Sequence, residues 1–143
     1  MASKRSREAW NAAPVPLRDV LAPEIVSRTE EEVRARLPVT DSLCQPLGLV
    51  HGGVFASLAD ALTTDAGTRA ISNQTSFLRP ITQGHVNAAA RRRHRGRTTA
   101  VWEVDITDDE GRLCALVRIT LASRQGITRR RDEPGAPAAG TRS

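Results

Sequence analysis

A single helical stretch lies between segments whose apolar residues alternate, and few folds accommodate that arrangement. From Gly53 the apolar residues Phe55, Leu58, Ala59 and Leu62, with Ala66, recur at helical spacing, and Gly67 is the expected stop. Upstream, Ile25 to Ser27 and Glu31 to Leu37 read as two short strands, the second with Val33, Ala35 and Leu37 on one face, and Pro38 to Gly48 reads as loop. Downstream the period is two. Ile71, Asn73, Thr75 and Phe77 share one face of a strand ending at Arg79-Pro80, and His85 to Arg93, Thr98 to Thr107 and Arg112 to Ser123 give three more. Asp108-Asp109-Glu110-Gly111 is a strong hairpin turn and Arg95-Gly96 a weaker one. A lone apolar helix can bury its face only against the sheet. The expected fold is therefore α+β, one helix packed on an antiparallel meander.

Length sets the frame for this pattern. A chain of 143 residues makes one domain, with a core large enough to fold without disulfides or metal. The domain is expected over residues 21–125. A basic, flexible N-terminal segment (1–20, with Lys4, Arg5 and Arg7) and a disordered tail rich in Arg, Pro, Gly and Ala (126–143) flank it. No apolar run is long enough to cross a bilayer, and the basic N-terminus lacks the apolar stretch of a signal peptide, so a cytoplasmic protein is expected. Cys44 and Cys114 are far apart and fit neither a disulfide framework nor zinc-ligand spacing; each is expected as a small core hydrophobe, and no metal is implied.

The net charge of +5 admits nucleic acid, an anionic membrane or a phosphorylated ligand as partner. The run Arg91-Arg92-Arg93-His94-Arg95-Gly96-Arg97 is what a nucleic-acid binder also shows. Single-strand and RNA readers, however, stack bases on exposed rings, and this chain has no Tyr, two Phe and two Trp. Trp102 in a strand and Phe55 on the helix face are both expected in the core. A solvated strand edge is the expected place for at least one of Arg91, Arg92 and Arg93.

The candidate chemistry lies on the helix. Ala56, Asp60 and Thr64 fall at i, i+4 and i+8 and form a polar line among small residues. Asp60 stands between Leu58-Ala59 and Ala61-Leu62, where an unpaired carboxylate is costly unless it is partnered or functional; the alternative is an aspartate on the solvated face. Val50-His51-Gly52-Gly53 puts two glycines where a loop turns into a helix. Free N–H groups and the positive dipole end converge there, as in an oxyanion hole, although a tight turn needing positive φ would use the same pair.

Gln45-Pro46-Leu47-Gly48-Leu49-Val50-His51-Gly52-Gly53, followed by Ala59-Asp60 and Thr64, resembles the active-site signature of hotdog-fold acyl-CoA thioesterases. The resemblance is to the branch containing 1,4-dihydroxy-2-naphthoyl-CoA, phenylacetyl-CoA-type and 4-hydroxybenzoyl-CoA thioesterases. It continues through Ser76-Phe77-Leu78-Arg79-Pro80, His94-Arg95-Gly96-Arg97 and Asp109-Glu110-Gly111-Arg112-Leu113-Cys114, and so covers roughly Ile25 to Ala122 in order. It implies a hotdog fold: a central helix wrapped by an antiparallel sheet of about five or six strands. Asp60 becomes the catalytic carboxylate, either a general base on water or a nucleophile through a mixed anhydride. Gly52 would polarise the thioester carbonyl through its N–H, Gln45 would orient the carbonyl or the water, Thr64 would hold water or the carboxylate, and His51 would be an orienting residue. Coenzyme A contacts would fall on Gly53, Ala70, Phe77, Leu78, Arg79 and Pro80, and on His94, Arg95, Gly96, Arg97, Thr98 and Thr99. Arg79 and Arg97 are the expected phosphate partners. No cofactor is implied beyond the coenzyme A of the substrate.

Geometry adds a second subunit. Gly52 and Asp60 are eight residues apart, roughly 12 Å along a helix at about 1.5 Å per residue, so one helix cannot bring both within about 3–3.5 Å of one carbonyl carbon. The resemblance implies the same arrangement, a homodimer with shared active sites, within a dimer or a tetramer, and no nucleic-acid or membrane partner is expected. Only six residues separate Thr64 from Ile71, a shorter connection than the family pattern, so the acyl pocket is expected to differ. A catalytically weak hotdog protein that binds acyl-CoA or regulates a partner is the alternative, and a basic nucleic-acid-binding module a third.

Overall fold

The computed structural model describes residues 16–123. A helical turn, α1 (Leu17–Val20), precedes two short strands, β1 (Glu24–Arg28) and β2 (Glu32–Pro38). Then come the helix α2 (Gly52–Thr63) and four strands, β3 (Thr68–Phe77), β4 (His85–Arg95), β5 (Thr99–Thr107) and β6 (Leu113–Ser123). The strands form one six-stranded sheet in the order β1-β2-β4-β5-β6-β3, antiparallel at every junction. The expected α+β architecture is present, but only β4-β5-β6 is a meander. The connection from β2 to β3 crosses the whole sheet, and α2 is the part of it that lies over the sheet face.

Alternation decides which face the helix takes. Val33, Ala35 and Leu37 of β2, Val86, Ala88 and Ala90 of β4, Trp102, Val104 and Ile106 of β5, and Val117, Ile119 and Leu121 of β6 are buried on the inner face. Phe55, Leu58, Ala59 and Leu62 of α2 pack against them. Burying one such large apolar side chain is worth roughly 1.5–3 kcal/mol, and these rows form one continuous cluster. The outer face is polar instead: Arg91 meets Glu32 and Asp105, Arg93 and Arg118 meet Glu103, and Arg36 meets Glu24. Among the described residues no helix is long and apolar enough to cross a membrane.

Several expectations are corrected by the coordinates. The helix stops at Thr63 rather than Gly67, because the Thr63 and Thr64 hydroxyls donate to the carbonyls of Ala59 (2.8 Å) and Asp60 (2.7 Å). Competition of this kind favours helix ends over interiors. Gly67 then serves a turn in which its N–H donates to Asp65 Oδ1, and Ala66 is exposed. Ile71 does not share a face with Asn73, Thr75 and Phe77. A bulge between Ala70 and Ser72 inserts one residue and reverses the parity, so Ala70 takes the inner face with them. The segment Pro38 to Gly48 is not featureless: Asp41–Leu43 makes a 3-10 turn with Leu43 buried, and Cys44 bridges Val50. Arg91 is still paired with Glu32 across β2 and β4, whereas exposed Arg93 lies beyond that last pair, so the solvated strand edge expected for at least one of the three is found at Arg93. Arg92 turns inward over the Trp102 ring at 6.0 Å and pairs with Glu31. Leu17–Val20, inside the segment expected to be flexible, form a helical turn followed by buried Leu21. Cys114 is buried and Cys44 half-buried, both as free thiols. The proposed tail from residue 126 lies outside the described residues.

Candidate active site

The entrance to α2 is pinned before the helix begins. Val50 N–H donates to the Ile81 carbonyl and His51 N–H to the Leu43 carbonyl, each at 2.9 Å. Just upstream, Gln45 closes a tight turn: its N–H donates to Leu49 O and its carbonyl accepts from Gly48 N–H, both at 2.8 Å, with Gly48 at φ +84°. Exposed His51 is the N-cap, with no side-chain cap bond. The Val54 N–H donates to the His51 carbonyl at 2.9 Å, which leaves the Gly52 and Gly53 amides as the first-turn donors at the positive end of the helix.

The two glycines differ. A Cβ on Gly52 would stand 2.6 Å from Cε1 of Phe77, so a side chain there requires the Phe77 ring to shift. A Cβ on Gly53 would meet nothing within 4 Å, which leaves open space beside the helix entrance. Neither glycine is among those with positive φ, so the turn alternative does not account for the pair.

Asp60 lies two turns further on, half-buried, and opens into a cavity of about 680 Å³. The helix contributes Ala56, Ser57, Asp60 and Ala61 to its wall, β3 contributes Asn73 and Thr75, and the α1 segment contributes Leu17, Arg18 and Leu21. Gly52, Gln45 and His51 are not among these walls. Thr64 is not there either. Its hydroxyl donates to the Asp60 backbone carbonyl rather than to the carboxylate.

The two groups of expected coenzyme A contacts are also separated within one protomer. Phe77 lies against the helix start, its ring centroid 6.4 Å from that of Phe55, and the N–H groups of Leu78 and Arg79 both donate to the Cys114 carbonyl. Phe77, Leu78, Arg79 and Pro80 are all exposed. Arg95, Gly96, Arg97, Thr98 and Thr99 instead line a separate cavity of about 260 Å³ with Thr63, Asp65 and Thr68 at the far end of α2. The Gly96 N–H donates to Thr99 O at 2.7 Å and closes that turn; exposed His94 lies just before it. Ala70 is half-buried and packs against the core. Twelve helical residues separate the two regions, roughly 18 Å at about 1.5 Å per residue.

Sequence reasoning missed Leu17, Arg18, Leu21, Ser57, Asn73 and Thr75. For Ser57, Asn73 and Thr75 a signal exists: small or polar residues on the helical face of Asp60, and polar ones alternating along a strand. For the α1 residues there was none, since nothing local places that segment beside the helix. Cys114 is no candidate nucleophile, because burial pushes its thiol above the ordinary range. Among the described residues no three His, Cys, Asp or Glu side chains gather as a metal site requires.

Residues 47–115 match the family model described as Thioesterase superfamily. The proofreading thioesterase EntH of Cronobacter turicensis is 34% identical over 125 residues, 80% of this chain and 91% of that protein. A solved thioesterase structure from Haemophilus influenzae superposes with a TM-score of 0.67 at 28% identity, covering 86% of this chain and 90% of that one. The PaaI protein from the Escherichia coli phenylacetic acid degradation operon gives a TM-score of 0.69 at 26% identity, covering 82% and 89%.

Proposed function

The chain belongs to the thioesterase superfamily and has its hotdog fold, and from that premise we propose that it hydrolyses acyl-CoA thioesters at sites shared across a homodimer, with Asp60 as the catalytic carboxylate. The observation that carries this reading is the placement of Asp60. It is a carboxylate in the wall of a large open cavity, and the backbone donors that would stabilise an oxyanion lie outside that cavity, at the opposite end of its own helix. A second protomer, turned by a twofold axis, brings its own Gly52 amide and Gln45 to the first protomer's Asp60. The same operation brings the Phe77–Pro80 region of one chain towards the Arg95–Thr99 turn of the other, so one coenzyme A can use both.

In the general-base route Asp60 takes a proton from water as the oxygen attacks the thioester carbon. The oxyanion is held by the Gly52 N–H, and the C–S bond breaks to release the acid and the coenzyme A thiol. In the nucleophilic route the carboxylate attacks first and water then opens the anhydride. The aryl preference, of the dihydroxynaphthoyl or phenylacetyl type, rests on the motif resemblance and on the likeness to a protein of the phenylacetic acid operon.

A colour assay of free thiol release over a panel of aryl- and fatty acyl-CoAs tests the reaction. Asp60→Asn is expected to lower turnover by at least about 10³-fold while leaving a folded dimer, within the range seen when a catalytic group is removed. Near-normal turnover by that variant sinks the assignment.

Mixing tests the sharing. Gly52→Pro removes the N–H at the first helical position, where proline is tolerated, and Gly52→Ala controls for the crowding of Phe77. Each homodimer of Asp60→Asn or Gly52→Pro has two damaged sites, but a mixed dimer has one intact. Equal mixing should restore about one quarter of wild-type activity, since about half of the dimers are mixed and one site in two is then whole. No restoration means that the sites are not shared.

A further inference from the structure

The grip of the sheet on α2 is largely non-directional: Phe55, Leu58, Ala59 and Leu62 are buried against the strands. Dispersion and apolar burial hold the helix down, yet they resist small rotations and shifts less sharply than a hydrogen bond does. On the cavity side there is a directional bond. Asn73 Nδ2 on β3 donates to the carbonyl oxygen of Ala56 at 3.1 Å. Ala56 lies one turn before Asp60, and its carbonyl is the acceptor that the Asp60 amide takes in a regular α-helix. The bond from the strand therefore ends on the turn that carries the carboxylate.

The donor is itself oriented. Thr75 Oγ1 donates to Asn73 Oδ1 at 2.9 Å. An amide offers donors only from its nitrogen end, so a hydroxyl held on the oxygen end turns the nitrogen towards the helix. Asn73 and Thr75 stand two residues apart on one face of the strand, as the pleat requires, and both line the cavity into which Asp60 opens.

We propose that Asn73, oriented by Thr75, is a positioning residue for the hydrolysis: it fixes the turn of α2 that carries Asp60, so that the carboxylate meets the thioester carbonyl or its attacking water at reactive distance. The proposal rests on the reading of Asp60 as the catalytic carboxylate. Asn73 does not touch the reacting atoms and acts through the Ala56 carbonyl. Because it stands on an edge strand, the clamp also ties the catalytic helix to the strand where a second protomer would pair.

The test uses the full-length protein with one aryl-CoA substrate, as Asn73→Asp, Thr75→Val and Thr75→Ser, with Asp60→Asn in parallel. Thermal melts and sedimentation accompany the kinetics. Asn73→Asp keeps the shape of the side chain and removes the donor. Its kcat is expected to fall on the order of 10- to 100-fold with KM within about twofold, the loss that a small misplacement of a reacting group produces. Thr75→Val should lose about 3- to 10-fold in kcat, as for one neutral hydrogen bond, and Thr75→Ser should restore it.

Unchanged kcat in Asn73→Asp and Thr75→Val, with Asp60→Asn inactive, overturns the proposal and leaves the Asp60 reading standing. An active Asp60→Asn removes the premise and the proposal together. A kcat loss that tracks dissociation of the dimer or loss of folded protein assigns Asn73 to structure alone and overturns it. So does a Thr75→Ser variant as poor as Thr75→Val, or a rise in KM with kcat unchanged.

Discussion

Among the described residues the sheet has two free edges, and they are built to different specifications. The β1 edge is five residues long, fully exposed, broken by a bulge between Ile25 and Ser27, and carries Glu24 and Arg28. The β3 edge is ten residues long, has Arg69 as its one charge, and is interrupted only near its start. Short, kinked, charged edges discourage further pairing, whereas a long, nearly neutral edge offers a row of unpaired backbone groups to another strand. The guarded edge contributes no residue to the cavity into which Asp60 opens; the unguarded one forms part of its wall. In the proposed dimer, assembly and chemistry would thus meet on the same strand. This is what a site made from two protomers requires.

The sharpest way to break the comparison uses a matched pair. Ile71 on β3 is 52% exposed and Val26 on β1 is 59% exposed, so lysine at each alters a similar surface. In the proposed dimer, with β3 as the pairing edge, Ile71→Lys would oppose like charges and is expected to weaken association by at least about 100-fold. Activity at submicromolar protein should fall with it. Val26→Lys should leave both unchanged. Equal effects in sedimentation and turnover would show that the edges do not differ.

A smaller effect is expected at the hairpin that presents β6 to β3. Burial pushes the Asp108 carboxyl up, but the Arg112 N–H, the Arg112 guanidinium and the Glu110 N–H outweigh it, and the group titrates below its ordinary value. A lowered folded-state pKa adds stability above the unfolded value of about 3.9, and that stability is lost as pH falls through the lower folded value. Asp108→Asn should therefore melt a few degrees lower at neutral pH, on the order expected for one lost interaction. The gap from wild type should close as pH is taken from about 5 towards 2. A gap that stays constant across this range assigns the loss to packing instead. The smallest effect belongs to β1. Glu24→Gln breaks the ion pair with Arg36, both side chains exposed, and should move the melting temperature by less than about 2 °C with no change in turnover. A larger shift would show that β1 is more than a solvent-facing margin.

How much of this could be read from residue order varies with the range of the interaction. Val33, Ala35 and Leu37 alternate and are buried alternately, and Asp108 to Gly111 closes the expected hairpin, because period and turn chemistry are local. The helix α2 ends four residues before Gly67, because Gly67 is a weaker stop than two threonine hydroxyls that reach back to the Ala59 and Asp60 carbonyls. Strict alternation puts Ile71 on the wrong face of β3, because a bulge carries no reliable local signal and reverses the parity before it. In the site, Asp60 stood out as a carboxylate in an apolar helix. Asn73 and Thr75 show only as polar residues alternating on a strand, and Arg18 not at all, since only the crossing from β2 to β3 and the seating of Leu21 bring them to its cavity.

Sequence by itself determined the α+β class, the one helix, the glycine entrance and the distance between Gly52 and Asp60, because helical rise and strand period follow from the backbone alone. Only the tertiary structure decided which strands become edges, that Phe77 occupies the space a side chain at Gly52 would need, and that Asp60 and the donors at Gly52 face different spaces in one chain. Those outcomes depend on pairings between residues far apart in the chain, where long-range burial and register outweigh local preference.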